Sequence, residues 1–410
     1  MSVDTMRFID YYVGVPLCFL VSFWVKLTDF IHDLFHGQSK AVAKPAAKPR
    51  RVLFLQLSEM GSAIIGDSSL RWTRAQGAEI YFAIFKRNVA SLRLVGTVPE
   101  SNLFLIREDK LLLFVWDSFR FLLWTRAKKI DAVVDFELFS RFSSLLTAMS
   151  GSRMRVGFHK FHAEGLYRGA VLSRKVAYNP HIHIAKNFMA LVKTVFAEHE
   201  DIPFFKGEIK DSEIHPLKIK VTPEAIERVK TVLAQHASQP ERMKWVIMNC
   251  AGGEFLPQRR WPQASYVKLA QTILDQDPAA MILLTGSPME KAEVDPIRLE
   301  AKRDRLINFA GAIRFEDLPA LYTLSRVMIS NDSGPAHFAS LTDIPTYVFF
   351  GPETPKLYGA LGNFFPLYSN LACSPCVSAF NHRKTPCTDN RCLQVISSDS
   401  VCQKVLKHLS

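Results

Sequence analysis

The stretch Ser330-Asn-Asp-Ser-Gly-Pro-Ala-His337 carries the densest chemistry in this chain. It reads as the end of a buried strand, a tight turn, and a helix entered at Pro335, a residue favoured in a first helical turn. Backbone N–H groups of Ser333 and Gly334 would then face outward with the helix dipole behind them, an arrangement that receives phosphate. Gly334 lets an oxygen approach closely, and His337, one turn further in, can reach the same anion. The competing reading is a capped helix without a ligand, with Asp332 or Ser333 as N-cap. A cap alone does not call for the adjacent Gly and His.

Such residues need elements to hold them. Apolar runs at Arg51–Leu57, Glu79–Ile84, Leu103–Ile106 and Asp131–Phe136 read as buried strands, with helical patterns between them. The pattern recurs at Trp245–Cys250, Met281–Thr285, Leu306–Phe309, Arg326–Ser330 and Thr346–Phe350. Strands alternating with helices predict βαβ units and doubly wound α/β sheets. A chain of 410 residues is long for one core, so two domains are expected. The divisions read as residues 1–37, a hydrophobic segment; 38–50, a basic Ala/Pro linker; 51–237 and 238–370, two α/β domains; and 371–410, a Cys-rich tail with a closing helix. Ligands of such sheets bind beyond the strand C-termini, which directs attention to a cleft between the domains. The aromatic segment Leu111–Lys129 is predicted to be a helix packed into the core.

Several motifs together resemble the heptosyltransferase family (glycosyltransferase family nine). Asn331-Asp-Ser-Gly-Pro-Ala-His337, Ile344-Pro and Phe350-Gly-Pro-Glu-Thr354 are similar to its donor-binding signature. Asn249-Cys-Ala-Gly-Gly253 with Arg259-Arg-Trp-Pro262 resembles its glycine loop and basic-X-Trp-Pro element, Leu284-Thr-Gly-Ser-Pro-Met-Glu290 its strand–Gly–Glu segment, and Gly151–Gly157 the loop before its Arg-X-Gly strand. The resemblance runs from Arg51 to the end of the sequence and is stronger in the second domain. It implies a GT-B-type fold, two Rossmann-like domains facing across a cleft. It also implies inverting transfer of a heptose or similar sugar from a nucleoside diphosphate donor such as ADP-heptose. The acceptor would be a lipid-linked saccharide such as lipopolysaccharide inner core.

By the same resemblance, Asp332, Ser333, Gly334 and His337 hold the diphosphate, Gly252 and Gly253 admit it to the backbone, Glu290 accepts from the ribose, and Arg259 neutralises the leaving group. Arg260 reads as solvated and Trp261 as a core anchor. No cofactor beyond the donor is required. In the family the loop after the first strand ends in Gly-Asp, its general base; here the pair is Gly61-Ser62. Ser62 cannot serve alone at neutral pH, and the nearby carboxylates are Glu59, Asp67, and the pair Asp135 and Glu137 at another strand end. A non-catalytic binding protein, or a transferase using another sugar, remains the alternative.

The formal charge of +12 asks for an acidic partner. Between Lys40 and Lys129 there are 16 Lys and Arg against 7 Asp and Glu, which suits a membrane surface or a phosphorylated acceptor. No nucleic-acid signature appears. The run Phe8–Ile31 is apolar, edged by Tyr11, Tyr12 and Trp24, and followed by Lys40, Lys44, Lys48, Arg50 and Arg51. It lacks the pattern of a cleaved signal and predicts attachment at the cytoplasmic side of an inner membrane. A short span, a re-entrant element kinked at Pro16 and an in-plane helix are all open. Cys373, Cys376, Cys387 and Cys392 have a spacing compatible with a four-thiolate zinc site, with a disulfide or reduced packing thiols as alternatives.

Overall fold

In the computed structural model, residues 3–36, 48–198, 201–252 and 256–409 are described. The chain divides into two compact units, Met1–Ile214 and His215–Ser410.

The first unit runs α1 (Val3–Tyr12), α2 (Gly14–His36), β1 (Arg51–Leu55), α3 (Met60–Ala75), β2 (Glu79–Phe85), α4 (Val89–Val95), β3 (Leu103–Ile106), α5 (Leu111–Ala127), β4 (Ala132–Asp135), α6 (Arg141–Met149), β5 (Met154–His159), β6 (Arg174–Ala177) and α7 (Ile184–Val195). Its sheet is parallel in the order β3-β2-β1-β4-β5-β6. Every residue of β4, and all but Arg51 of β1, is buried, because helices cover both faces. A core of Leu53, Leu55, Phe104, Phe121 and Val133 lies under α5.

The second unit runs α8 (Pro223–Leu233), β7 (Lys244–Asn249), α9 (Gln263–Gln276), β8 (Ala280–Leu284), α10 (Lys291–Ala301), β9 (Leu306–Asn308), α11 (Leu318–Leu324), β10 (Val327–Asn331), α12 (Gly334–Ala339), β11 (Thr346–Phe350), α13 (Pro355–Tyr358), β12 (Phe364–Tyr368), α14 (Arg391–Gln394) and α15 (Ser398–Leu406). Its six parallel strands follow the same winding, β12-β11-β10-β7-β8-β9. In each sheet the chain reverses direction of growth between its first and fourth strands. Ligand crevices form beyond the strand ends at such a reversal. The candidate residues of the sequence cluster there: beyond β1 and β4 in one unit, beyond β7 and β10 in the other.

Two expectations need correction, and one of the three open readings of the N-terminal segment differs from the structure. The division falls after Ile214 rather than after Ala237, because Arg228 of α8 pairs with Asp317 at 2.6 Å and binds the helix to the second unit. The N-terminal helix breaks at Val13, ahead of Pro16, which sits in the first turn of α2 where its missing N–H costs nothing. And α5 is not enclosed: Asp117, Phe121 and Thr125 are buried, while Leu111, Leu112, Val115, Trp116, Phe119 and Leu123 are exposed. Most of the linker 38–50 lies outside the described residues.

Candidate active site

In the second unit, the ends of β7 and β10 are stitched by Asn331. Its Nδ2 donates to the Cys250 carbonyl at 3.0 Å, and its Oδ1 accepts from the Trp261 N–H and the Tyr266 hydroxyl, both at 3.0 Å. Trp261 is buried, stacked on Phe349 at 4.2 Å between ring centres, and donates from Nε1 to the Ile396 carbonyl at 3.1 Å. It is the expected core anchor, and it aims the preceding Arg259 and Arg260 toward the strand ends. Arg260 is not simply solvated: its Nε donates to the Gly252 carbonyl at 2.7 Å and its Nη2 meets Glu293 at 2.9 Å. That bond fixes the loop at Gly252, whose φ of +116° is open to glycine. A Cβ placed on Gly252 would lie 3.6 Å from Cβ of Ser333, so the two loops are in close register. Gly253 lies outside the described residues.

Arg259, Asp332 and Glu353 form the charged heart of this site. Arg259 Nη2 donates to Glu353 Oε1 at 3.1 Å, and its Nε stands 3.4 Å from Asp332 Oδ2. Arg383 approaches the same Glu353 oxygen at 3.6 Å, donates from Nη2 to the Tyr358 hydroxyl at 2.7 Å, and stacks over the Tyr358 ring. Glu353 is 1% exposed, and burial pushes its carboxyl up to about 7 against the pull of Arg383 and Arg259. Two guanidinium groups around a buried carboxylate that is ready to take a proton make a receptor for a more strongly charged anion. Ser333 opens α12, and His337, in the same helix, is buried. With six residues, α12 supplies a modest dipole, and the guanidinium charges carry more of the field. Glu290 sits one strand over, beyond β8, where its Oε2 accepts from the Ser287 N–H at 2.6 Å. Its carboxylate is thereby held in a reciprocal cap.

Neither Glu353 nor Arg383 was among the residues singled out from the sequence. The motif Phe350-Gly-Pro-Glu-Thr354 was a signal for the first. The second lies in a basic stretch, His382-Arg-Lys384, between the tail cysteines.

In the first unit, Glu59 is half-buried at the start of α3, and Ser62 Oγ donates to its Oε2 at 2.8 Å. Ser62 therefore orients a carboxylate where a Gly-Asp pair would have supplied one directly. Asp67 is placed differently: it is 1% exposed, accepts from Arg71 Nε at 2.7 Å and from Thr97 Oγ1 at 2.5 Å, and braces α3 to the segment after α4. Asp135 is fully buried against Arg168 and accepts from Ser143 Oγ at 2.8 Å. Glu137 accepts from the Leu57 N–H at 2.6 Å and from the Ser58 N–H at 2.9 Å, so it shapes the loop that carries Glu59. Burial raises Glu137 to about 7, with Asp135 and Glu59 adding to the upward push. Geometry thus gives structural work to Asp67, Asp135 and Glu137, while Glu59 is half-buried at the start of α3 beyond β1.

The tail cysteines are free thiols: Cys373 is exposed, Cys376 and Cys387 intermediate, Cys392 buried. Cys376 Sγ accepts from Thr385 Oγ1 at 3.3 Å, and Cys387 donates to the Asp389 carbonyl at 3.0 Å. Among the described residues no group of three or more His, Cys, Asp or Glu side chains is arranged to hold a metal ion. The four-thiolate arrangement considered from spacing is not formed.

The profile of glycosyltransferase family 9 (heptosyltransferase) matches residues 124–386, well over half of the chain. Lipooligosaccharide heptosyltransferase 2 of Haemophilus influenzae is 28% identical over 171 residues, 41% of this chain and 46% of that protein. Its namesake in Haemophilus ducreyi is 32% identical over 136 residues, 32% of this chain and 38% of that protein. The matched stretches thus span less than half the length of these relatives. Among solved structures, the ADP-heptose lps heptosyltransferase II of Escherichia coli superposes with a TM-score of 0.66 at 17% identity, over 88% of this chain and 98% of that one. A glycosyl transferase family 9 protein of Veillonella parvula gives 0.69 at 16% identity, over 88% and 97%. An Escherichia coli heptosyltransferase solved with ADP gives 0.59 at 15% identity, over 87% and 99%. At these identities the structural likeness establishes the shared fold.

Proposed function

Because this chain belongs to glycosyltransferase family 9, the heptosyltransferase family, we propose that it is an inverting glycosyltransferase that takes a heptose from ADP-heptose. The acceptor in this reading is a hydroxyl of a lipid-linked saccharide, such as lipopolysaccharide inner core, at the cytoplasmic side of an inner membrane. The observation that carries the reading is Arg259, poised between Asp332 and the protonatable Glu353 beyond β10 and β11. A diphosphate arriving there replaces a weak anion by a stronger one, and the guanidinium is already in place. Solved relatives described with ADP and with an ADP-heptose analogue support the choice of base.

In the proposed reaction Glu59 takes the proton of the acceptor hydroxyl. The freed oxygen attacks the anomeric carbon from the side opposite the diphosphate, the carbon–oxygen bond to the β-phosphate breaks, and the configuration inverts. Charge developing on the leaving diphosphate falls to Arg259, His337 and the N–H groups at Ser333 and Gly334. Glu290 is assigned the ribose hydroxyls.

The test is isothermal titration of the full chain with ADP, UDP and GDP, repeated on His337→Ala. ADP binding that weakens in the variant supports the reading. Preference for UDP or GDP would replace the donor while keeping the fold's chemistry, and binding of none would refute the site. A separate observation, Gly61-Ser62 in place of Gly-Asp, favours a second reading, a nucleotide-sugar-binding protein without transfer. Loss of transfer in Glu59→Ala, with ADP binding retained, would dispose of it.

A further inference from the structure

Two helices far apart in the sequence turn their large apolar side chains away from the protein. On α2 the inward stripe is small: Gly14, Cys18 and Ser22 are buried at helical spacing. Ser22 Oγ accepts from the Ala170 N–H at 2.7 Å, and Cys18 Sγ approaches the Arg141 carbonyl at 3.7 Å. A Cβ on Gly14 would come within 2.9 Å of Arg141, and one on Gly169 within 3.0 Å of the Cys18 carbonyl, so the helix is seated closely. Ion pairs fasten this N-terminal pair of helices, Asp10 of α1 to Arg141 at 3.0 Å and Asp29 of α2 to Arg155 at 2.9 Å. Outward point Phe19, Leu20, Phe23, Trp24 and Phe30, with Phe23 68% and Trp24 65% exposed. A helix at a water-facing surface has the reverse arrangement.

The same inversion recurs on α5, where Leu112 is 84% and Trp116 56% exposed. The two helices belong to one layer. The Phe114 ring of α5 packs tilted against Phe142 of α6, 4.5 Å between centres, and Arg126 donates to the Met149 carbonyl at the end of α6 at 3.0 Å. The helix α2 also packs on α6, with Gly14 and Cys18 against Arg141, and reaches β5 through Asp29 and Arg155. The connection from β5 to β6 contains no helix of its own, and α2 fills that place against Gly169 and Ala170. The outer surfaces of α5, α6 and α2 therefore lie on one side of the sheet.

We propose that this three-helix layer is a membrane-docking face, with α2 and α5 lying in the plane of an anionic phospholipid surface rather than across it. The proposal deepens the membrane location given above and rests on it. Charge selects the partner: the exposed charges of α5 are Arg120 and Arg126, with Lys129 just beyond, while its one acid, Asp117, is buried and paired with Arg107 at 2.7 Å. Cationic side chains beside an apolar face with two tryptophans match the headgroup boundary of an anionic leaflet. Seating selects the orientation. The contacts of α2 from Gly14 to Asp29 run along about 22 Å of helix, most of the thickness of a hydrocarbon core. A spanning α2 would carry Arg141, Arg155 and the sheet beneath them into that core, at the cost of burying charge in lipid.

Flotation of the full chain with vesicles of phosphatidylethanolamine and phosphatidylglycerol tests this, with ADP titration in parallel. The chain is expected to float. The double variants Phe23→Ser/Trp24→Ser and Trp116→Ser/Phe119→Ser should each lower the bound fraction about tenfold while ADP binding is unchanged. Arg120→Glu should weaken binding to these vesicles and leave binding to phosphatidylcholine vesicles as it was. Nitroxides at Phe19→Cys, Leu27→Cys and Phe119→Cys, in a chain carrying Cys373→Ser, Cys376→Ser and Cys387→Ser, should report one common shallow depth. Indifference to the α5 variants, a depth that passes through the bilayer midplane along α2, or a dimer that buries both faces and leaves vesicles unbound would overturn the proposal. Vesicle binding without any ADP binding would strike the transferase reading and leave the docking face standing.

Discussion

Arg259 donates to Glu353 at 3.1 Å while lying 3.4 Å from Asp332, so one guanidinium is shared by two carboxylates from the ends of neighbouring strands. The side chain is held in position before any ligand arrives, which spares the cost of ordering it on binding. In the proposed site its holders are the groups a diphosphate would displace or neutralise.

Replacing Arg259 by Ala should therefore weaken binding of the proposed ADP by about 10- to 100-fold, the worth of a charge-assisted hydrogen bond. Arg259→Lys should recover part of this, because the charge returns without the planar fork. Isothermal titration reads both; unchanged affinity in Arg259→Ala would remove Arg259 from the donor site.

Diphosphate binding beside Glu353 should draw a proton onto its carboxyl, which burial already holds at about 7. Binding is then accompanied by proton uptake near neutral pH, and affinity rises as pH falls through that range. Titrations in buffers of different ionisation enthalpy measure the uptake. Glu353→Gln should lower it, and an uptake identical to that of the parent chain would show that Glu353 is not its source.

Stability should carry the same signature. Burial raises both Glu137 and Glu353 from the ordinary 4.5 to about 7. Between those values the folded chain keeps protons that the unfolded chain releases, so folding weakens as pH rises across the window and levels off above it. Urea midpoints at pH 5, 6, 7 and 8 follow these two groups when compared with Glu137→Gln and Glu353→Gln. A parent slope matched by both variants would contradict the assignment.

Among the carboxylates of the first unit, one substitution should separate catalysis from architecture. Glu59→Gln is expected to lower transfer by about 10² to 10⁴ with little change in thermal midpoint, as for loss of a general base. Asp67→Asn, which disturbs the bonds to Arg71 and Thr97, should lower stability instead. Normal transfer by Glu59→Gln would send the search for the base elsewhere.

The buried pair Asp135–Arg168 joins β4 to the β5–β6 connection, 33 residues away. Arg168→Ala leaves Asp135 buried without its guanidinium and should cost about 3–5 kcal/mol. Denaturant unfolding measures it, and a loss under about 1 kcal/mol would mean that water replaces the guanidinium.

The alternation of apolar runs with helical patterns was enough to identify α/β units, and several element bounds, such as Leu103–Ile106 and Thr346–Phe350, coincide with β3 and β11. That information is local: buried parallel strands are written as short apolar runs, and the turn proposed to hold the diphosphate is written in Gly, Pro and Ser at fixed offsets. What pairs across the fold is not local. Arg259 and Glu353 are 94 residues apart, and only the register of β7, β10 and β11 brings their loops together. The helix α5 shows the same limit in reverse. Its composition suits a core or a lipid surface equally, since both are apolar, and the tertiary structure alone decides which side faces the sheet and which is left to a partner. For α2, hydropathy over Phe8–Ile31 marks an apolar helix, but its seat on Arg141, Arg155 and Ala170 sets how that helix can meet a membrane. Sequence determined which segments are apolar and where the Gly-, Pro- and Ser-rich turns fall, because those properties belong to neighbouring residues. The tertiary structure decided which charges meet and which apolar faces stay open, because those depend on contacts between distant ones.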